Sequence, residues 1–512
     1  MRAAGGAAWR RAGRVPWAYL ALLLYAGIAL AANVLRFGVT LPLLDAVGYS
    51  DAYVLHDARA YAVSERLYRG PAEPPYNPSV YSPLFYLALS VPFRLADPAN
   101  LFLAPRLIMG GAFALCVLVV VSIARALSRH ASVVAWSGVL ALSVRLVTPW
   151  SQLKADALAA LFGLGAVRVL MIEARWAAPV AGLAAGTACA FRMTNAAAVL
   201  GGFAWLLLSR RYRSAAEFLA GSVATGAGGY LVFVPFEPYL FAHLFALGAP
   251  LTDWAGFVRL ALRVGREPVV LLAVSALPLV LRRPRRRWQL LLLYGASSVL
   301  LASAGSLHPG AAENHFFEAA LIAVPLAGLA AVRLARAASL GVAPQVFLAA
   351  LIVTLLLPSA IGDARRALAT DVARQNVEWT GLRRLVEDRR AFAAVPPVDL
   401  LTRRPPVTET FVIRLLELSG RFDTGPLAER LQAREFELVV TRAPDATYRD
   451  VELLSPSFWQ AIRSAYAPFC TMRDRIYHLP DDRRDPGPLV AGLLALGCEP
   501  LRDPARAAAA GR

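Results

Sequence analysis

The sequence predicts an α-helical polytopic membrane protein with a small α/β domain toward its C-terminal end. Three observations carry that prediction. Of 512 residues, 57% are hydrophobic and only 17% are charged, with a mean hydropathy of +0.51; a soluble domain is nearer half apolar and about a quarter charged. Long apolar runs recur along the first two thirds of the chain, many of them long enough to cross about 30 Å of hydrocarbon. Past about residue 363 the long runs stop, and charged stretches alternate with short apolar ones.

Net charge is +18, which in a soluble protein would suggest nucleic acid as a partner. Here most arginines sit in short clusters between apolar runs. That is how the positive-inside rule writes topology, with anionic membrane lipids as the partners, and nucleic acid is excluded. Arg2, Arg10, Arg11 and Arg14 precede an apolar run from about Trp17 to Leu35. The run is too long for a signal-peptide core and reads as a retained anchor with its N-terminus inside.

The apolar runs fall at about 17–36, 81–97, 102–123, 131–149, 156–173, 176–191, 194–209, 215–235, 268–282, 288–304, 316–333 and 345–361. Candidate cytoplasmic clusters are Arg125 with Arg129, Glu173 with Arg175, residues 210–213, residues 282–287, and Arg333 with Arg336. The number of crossings between any two of them must be even. Three runs precede Arg125, so one does not cross; 81–97, with Pro83 and Pro92, reads as a helix lying at the interface. The result is about eleven transmembrane helices in a domain spanning 1–362. One extracytoplasmic face then gathers 37–101, 150–155, the turn around 192, 236–267, 305–315 and everything after about 362. Residues 363–482 read as a small extracytoplasmic α/β domain, with strands near 393–402, 436–441 and 475–480 and a helix at 427–434. Residues 483–512 read as a flexible tail.

That single face holds most of the unusual polar residues. The first loop carries Asp45, Asp51, His56 and Asp57 among many tyrosines and prolines. Long irregular loops are usually functional or disordered, and the aromatic content argues against disorder. Lys154 and Asp156 stand at the mouth of a span, Arg192 at a tight turn, Glu237 and His243 in 236–267, and His308, Asn314, His315 and Glu318 around the last pair of spans. Ionisable groups at membrane depth are expensive and mark sites or pathways. A loop carboxylate can serve as a general base, and cations can hold a leaving phosphate. Taken singly, each has a plainer reading: a solvated acid, a local Lys154–Asp156 pair, a snorkelling Arg192, interfacial histidines. The shared face lifts them above it. The four cysteines show no metal spacing; Cys116 and Cys189 lie in apolar runs, and Cys470 and Cys498 could pair if their region is extracytoplasmic.

In order along the chain stand AspAlaTyr (51–53), AspAlaArgAlaTyr (57–61), LeuTyrArgGly (67–70), ProProTyr (74–76) and TyrSerProLeuPheTyr (81–86). LeuLysAlaAspAlaLeuAlaAlaLeu (153–161), PheArgMetThrAsn (191–195) and GluAsnHisPhePheGlu (313–318) follow. The combination resembles bacterial GT-C glycosyltransferases of the dolichyl-phosphate-mannose-protein mannosyltransferase and aminoarabinose-transferase type. The resemblance implies a GT-C-like membrane domain and transfer of a sugar from a polyprenyl-phosphate donor to a lipid, glycan or protein acceptor. The site would lie on the extracytoplasmic face of the cell inner or plasma membrane. It implies a first-loop acid as base, with Asp51 the best positional match, then Asp57, then Asp45. Lys154, Asp156, Arg192, His308, Asn314, His315 and Glu318 would bind the donor phosphate, sugar or lipid head group. No cofactor is certain; a loop acid could bind a divalent metal ion. Ser64-Glu65-Arg66 replaces the family's frequent glycine before LeuTyr, and Lys154 its arginine, which bears on donor recognition. The rivals are a lipid or sugar transporter or flippase, for which the chain lacks a visible repeat, and a non-catalytic assembly subunit.

Overall fold

In hydrocarbon a backbone has no water to bond, so an isolated apolar segment must close its own hydrogen bonds as a helix. The computed structural model follows that rule. It describes residues 17–501, save 46–49, 64, 71–72, 74–78, 96–99, 145–151, 247–251, 265–285, 309–310, 312, 337–341, 395–397, 402–409, 443–446, 449–450, 453, 474 and 482–486. The N-terminal arginines and the apolar run expected at 268–282 therefore lie outside the described residues.

Helix α1 (Trp17–Thr40) buries Leu22, Tyr25, Ala26, Ala29 and Asn33 along one stripe and leaves Leu20, Leu23 and Leu24 exposed. An apolar stripe packed inward and an equally apolar face turned outward is the pattern of a helix bathed in lipid. There follow α2 (Asp51–Ala62), α3 (Pro83–Leu95), α4 (Leu103–Leu127), α5 (Ala131–Ser143), α6 (Asp156–Leu170), α7 (Ala177–Phe191), α8 (Ala197–Leu208) and α9 (Tyr212–Leu231). Beyond them lie α10 (Leu240–Ala246), α11 (Trp254–Val264), α12 (Arg286–Gly305), a 3-10 turn (Glu313–Phe316), α13 (Phe317–Arg336), α14 (Val342–Leu355) and α15 (Leu357–Leu368).

Among the described residues, five helical stretches are long and apolar enough to cross a membrane: Trp17–Thr40, Leu103–Leu127, Arg286–Gly305, Glu313–Leu334 and Val346–Leu368. Shorter apolar helices include α3, α5, α7 and α8. The chain is a multi-pass membrane protein. The stretch Glu313–Leu334 is the hub, 83% buried within the bundle, with α13 packed on α1, α4, α5 and α12. Helices α7 and α9 pack through small residues: a Cβ added at Gly182 would fall 2.1 Å from the Phe218 carbonyl oxygen. Glycine lets the backbones approach where hydrocarbon supplies no hydrophobic drive.

The opening loop holds more order than expected. Asp51–Ala62 is a helix, and α3 packs against it. At 13 residues, α3 rises only about 20 Å, too short to cross the hydrocarbon.

The C-terminal unit begins with α16 (Val372–Val386), whose N-cap Asp371 accepts from the Arg374 amide. It continues with β1 (Ala391–Ala393), α17 (Val398–Leu401), α18 (Thr410–Leu418), α19 (Gly425–Gln432), β2 (Leu438–Arg442), and the β3 (Thr447–Tyr448) and β4 (Val451–Glu452) ladder. Next come α20 (Pro456–Ala465), β5 (Tyr466–Met472), β6 (Arg475–Pro480), α21 (Gly487–Ala495) and β7 (Glu499–Pro500). The sheet order is β1-β2-β6-β5-β7, parallel for β1 with β2 and antiparallel elsewhere. One sheet face packs Trp379, Leu382, Tyr477 and Leu489; the other packs Phe392, Phe436, Phe458 and Tyr466.

Within the expected flexible tail at 483–512, residues 487–500 are ordered, and 502–512 lie outside the described residues. Leu489 and Leu493 of α21 are buried in the core, β7 adds to the sheet edge at β5, and a disulfide joins Cys470 to Cys498. The unit thus runs to about residue 500. The stretch reads as loose because prolines, arginines and alanines flank it; what orders it is burial against α16 and the cross-link.

Candidate active site

Three separate chain segments bring their polar residues to one end of the bundle. The first is the start of α6. Asp156 is its first residue, where a carboxylate suits the partial positive charge of the helix N-terminus. The second is the turn after α7, where Arg192 leaves the helix with an extended backbone (φ −152°, ψ 112°). The third is the 3-10 turn that leads into α13. Asp156 pairs with Arg192, their side chains 7% and 13% exposed. The Asn314 amide donates to the other oxygen of Asp156 at 2.9 Å, and Lys154 Nζ donates to Asn314 Oδ1 at 3.4 Å. The His315 ring lies 3.4 Å from Arg192 Nη2.

Beneath them sits a buried carboxylate. Glu318, in the first turn of α13, accepts from the Tyr294 hydroxyl and, at 3.4 Å, from Asn195 Nδ2. A Cβ at Gly163 would fall 2.7 Å from both Glu318 Oε1 and the Tyr294 oxygen, so glycine on α6 makes room for this pair. Arg192, Thr194, Asn195, Ser298, His315 and Glu318 line a polar pocket. An arginine, a histidine, neutral amide and hydroxyl groups and a recessed carboxylate can hold an anion beside a polyhydroxylated group.

The first-loop acids close on this end in different ways. Asp51 begins α2, is fully buried, and accepts from the Leu153 amide at 3.0 Å. It therefore staples α2 to the residue preceding Lys154. Asp57 lies six residues on, about 240° round the helix. It hydrogen-bonds the Tyr86 hydroxyl and lies near Tyr68. Tyr81 connects the two tyrosines: its carbonyl accepts from the Tyr68 hydroxyl at 2.6 Å, and its amide donates to the Tyr86 oxygen at 3.4 Å. The next residue, Ser82, donates from Oγ to the Phe191 carbonyl at 3.0 Å, one residue before Arg192.

Asp51, Lys154, Asp156, Arg192, Asn314, His315 and Glu318 are thus assembled in contact with one another or with adjoining backbone. Among the described residues, the pocket lining does not include His308, whose carbonyl accepts from the Ala311 amide at 3.1 Å. Glu237 and His243 hold the first loop in shape. Glu237 accepts from the Leu67 and Tyr68 amides, and His243 bridges the Ser79 amide and the Arg69 carbonyl. Burial lowers the His243 pKa, which favours the neutral ring those two bonds require. Tyr294 and Ser298 are additions that sequence reasoning missed; a lone tyrosine inside an apolar run carries little signal. Asn195 lies within PheArgMetThrAsn (191–195) and was legible only as part of that motif. Among the described residues, no group of three or more His, Cys, Asp or Glu could hold a metal ion.

The fold is a helical membrane bundle with a polar pocket at one end, joined to a small α/β unit. Solved structures share it. ArnT from Cupriavidus metallidurans bound to undecaprenyl phosphate matches with a TM-score of 0.56 at 14% identity, over 89% of this chain and 97% of that one. Its apo form matches with a TM-score of 0.57 at 13% identity over the same shares. The Archaeoglobus fulgidus oligosaccharyltransferase in the apo form matches with a TM-score of 0.53 at 12% identity, over 93% of this chain and 76% of that one. At such identities the likeness is one of fold. No family model and no curated protein matches the chain.

Proposed function

We propose that this chain is an integral membrane glycosyltransferase that moves a sugar from a polyprenyl-phosphate donor to a lipid, glycan or protein acceptor on the extracytoplasmic face. The observation that carries the reading is the pocket at Arg192. There, cations and hydrogen-bond donors from α6, the α7–α8 turn and the start of α13 converge, with Asp51 bound to the residue before Lys154. The fold shared with ArnT and the oligosaccharyltransferase supports it. The N-terminus would be cytoplasmic, with the α/β unit outside the inner or plasma membrane.

Lys154, Arg192 and His315 hold the donor phosphate and take up the charge that grows on it as the sugar departs. Asn195, Asn314 and Glu318 orient the sugar or head group. Asp57 accepts the proton of the attacking hydroxyl. Both carboxylates are buried; Asp57 is the better base of the two because Asp51 is bound to the Leu153 amide, whereas Asp57 faces a tyrosine hydroxyl. Asp57 bonds the Tyr86 hydroxyl, which meets the Tyr81 amide, and Ser82 beside it bonds the Phe191 carbonyl next to Arg192. Asp51 places the start of α6.

The test supplies labelled polyprenyl-phosphate sugar to membranes holding the protein and follows label into lipid, glycan and protein pools. Wild type transfers label, Asp57→Asn loses most of it, and Asp51→Asn loses less. Absence of transfer to every pool by wild type would overturn the reading, and full transfer by Asp57→Asn would remove Asp57 as base. A flippase would move the lipid across the bilayer and leave the sugar on it.

A further inference from the structure

Residues 42–45, a strap that follows α1, are gripped on both sides. From the bundle, the buried Arg106 of α4 donates to the carbonyls of Thr40 (2.7 Å), Leu43 and Asp45. From the α/β unit, Asn376 of α16 accepts from the Leu44 amide at 2.9 Å and donates to the Pro42 carbonyl at 3.0 Å. The Leu44 side chain packs into the core of that unit. The carboxylate of Asp45 faces Arg473 at 3.9 Å and Arg475 at 3.8 Å. Arg473 also pairs with Glu378, and Arg475 lies over the Trp379 ring at 5.0 Å.

One of these residues is held against its backbone preference. Arg473, in the turn between β5 and β6, has φ +58°, in the left-handed region that glycine occupies at no cost. A large side chain there is paid for by what it reaches, which is Glu378 on its own unit and Asp45 on the strap.

We infer that the α/β unit is a positioning part of the active site: through Arg473, Arg475 and Asn376 it fixes residues 42–45 and thereby sets where α2 carries Asp51 and Asp57. Asp45 stands six residues before Asp51. Between Arg106 below and the α/β unit above, the strap has little freedom of its own. Arg473, Arg475 and Asn376 are positioning residues, acting through the strap on α2. The catalytic consequence rests on the glycosyltransferase reading; the mechanical link does not.

The deciding experiment measures amide hydrogen exchange on the full-length protein in nanodiscs for wild type, Asp45→Asn, Arg475→Gln, Arg475→Lys, Arg473→Gly and the Asp45→Asn/Arg475→Gln double variant. Either of the first two variants should speed exchange across 51–62 by about tenfold while β2, β5 and β6 stay protected. The double variant should be worse than either single one but by less than their sum, because the two changes share the Asp45–Arg475 pair. Arg475→Lys should recover part of the protection. Arg473→Gly relieves the turn and removes the reach, so it should loosen 51–62 without loosening the sheet. In the transfer assay Arg475→Gln should lower kcat about tenfold with donor KM unchanged. Unchanged exchange in 51–62, or loss of sheet protection along with it, overturns the inference. A wild type inactive toward every donor would sink the proposed reaction while the exchange result still decides the strap.

Discussion

The pocket end of the bundle and the surface of the α/β unit are both rich in charge, and they use it differently. At the pocket, Asp156 joins Arg192 and Asn314 across 36 and 158 residues of chain, and both charged side chains are nearly buried. On the α/β unit three pairs are local, Arg374 with Glu378, Arg414 with Glu417 and Arg430 with Glu435, and two others, Arg389 with Glu437 and Arg390 with Glu435, join segments of the unit at part-exposed positions. Local exposed pairs can form and break without consequence, because water competes for both partners. The pocket pairs cannot, because each ion was removed from water to make them. Charges spaced far apart in sequence and desolvated together are therefore the ones that mark the site. The strap at Asp45 is the exception on the α/β side, since its pairs reach across to the bundle.

Breaking the pocket should have the largest effect. Asp57→Asn should lower transfer by about 10²- to 10⁴-fold with the fold intact, as removal of a general base does. Arg192→Ala leaves Asp156 buried beside uncharged atoms and should cost about 3–5 kcal/mol of stability as well as activity; thermal unfolding in detergent separates it from Asp57→Asn, which should leave the midpoint in place. Opening the Cys470–Cys498 link with a Cys498→Ser change should cost about 3 kcal/mol. That loss should be confined to the α/β unit, so that limited proteolysis cuts near α21 while the bundle survives.

His478 gives a pH test of the α/β unit. Its Nε2 shares a hydrogen bond with Thr441 Oγ1 at 2.8 Å, and burial lowers its pKa to about 4. The folded state keeps it neutral while the unfolded chain takes up a proton below about pH 6.5. Its contribution is thus fully present above that pH and fades as pH falls toward 4, by about 3 kcal/mol in all. His478→Gln should flatten the stability curve between those two values. At the small end, Arg213→Ala removes an exposed pair with Glu217 and should change stability by less than about 0.5 kcal/mol.

Much of the site was legible because its residues break local rules. A lysine and an aspartate opening an apolar run, an arginine in a tight turn, and an acid with an asparagine before a span are each costly unless used. Parity of crossings placed them on one face, and they do meet at one end. The role of Asp51 was less legible. Its place in the loop resembles that of a base, and one of its carboxylate oxygens accepts from the Leu153 amide. That bond joins residues 102 positions apart and leaves no pattern in either segment. Tyr294, hidden in an apolar run, was illegible for the same reason.

The sequence by itself determined that this is a multi-pass membrane protein with a C-terminal α/β unit, because hydrocarbon thickness and unsatisfied backbone groups dictate helix length directly. It also determined which polar residues are out of place. Only the tertiary structure decided their partners: Arg192 with Asp156, Tyr294 with Glu318, Arg475 with Asp45, Cys470 with Cys498. Burial and apolar periodicity act along the chain and can be read from it. Pairing acts through space, at separations that helix packing and sheet order set and no local pattern encodes.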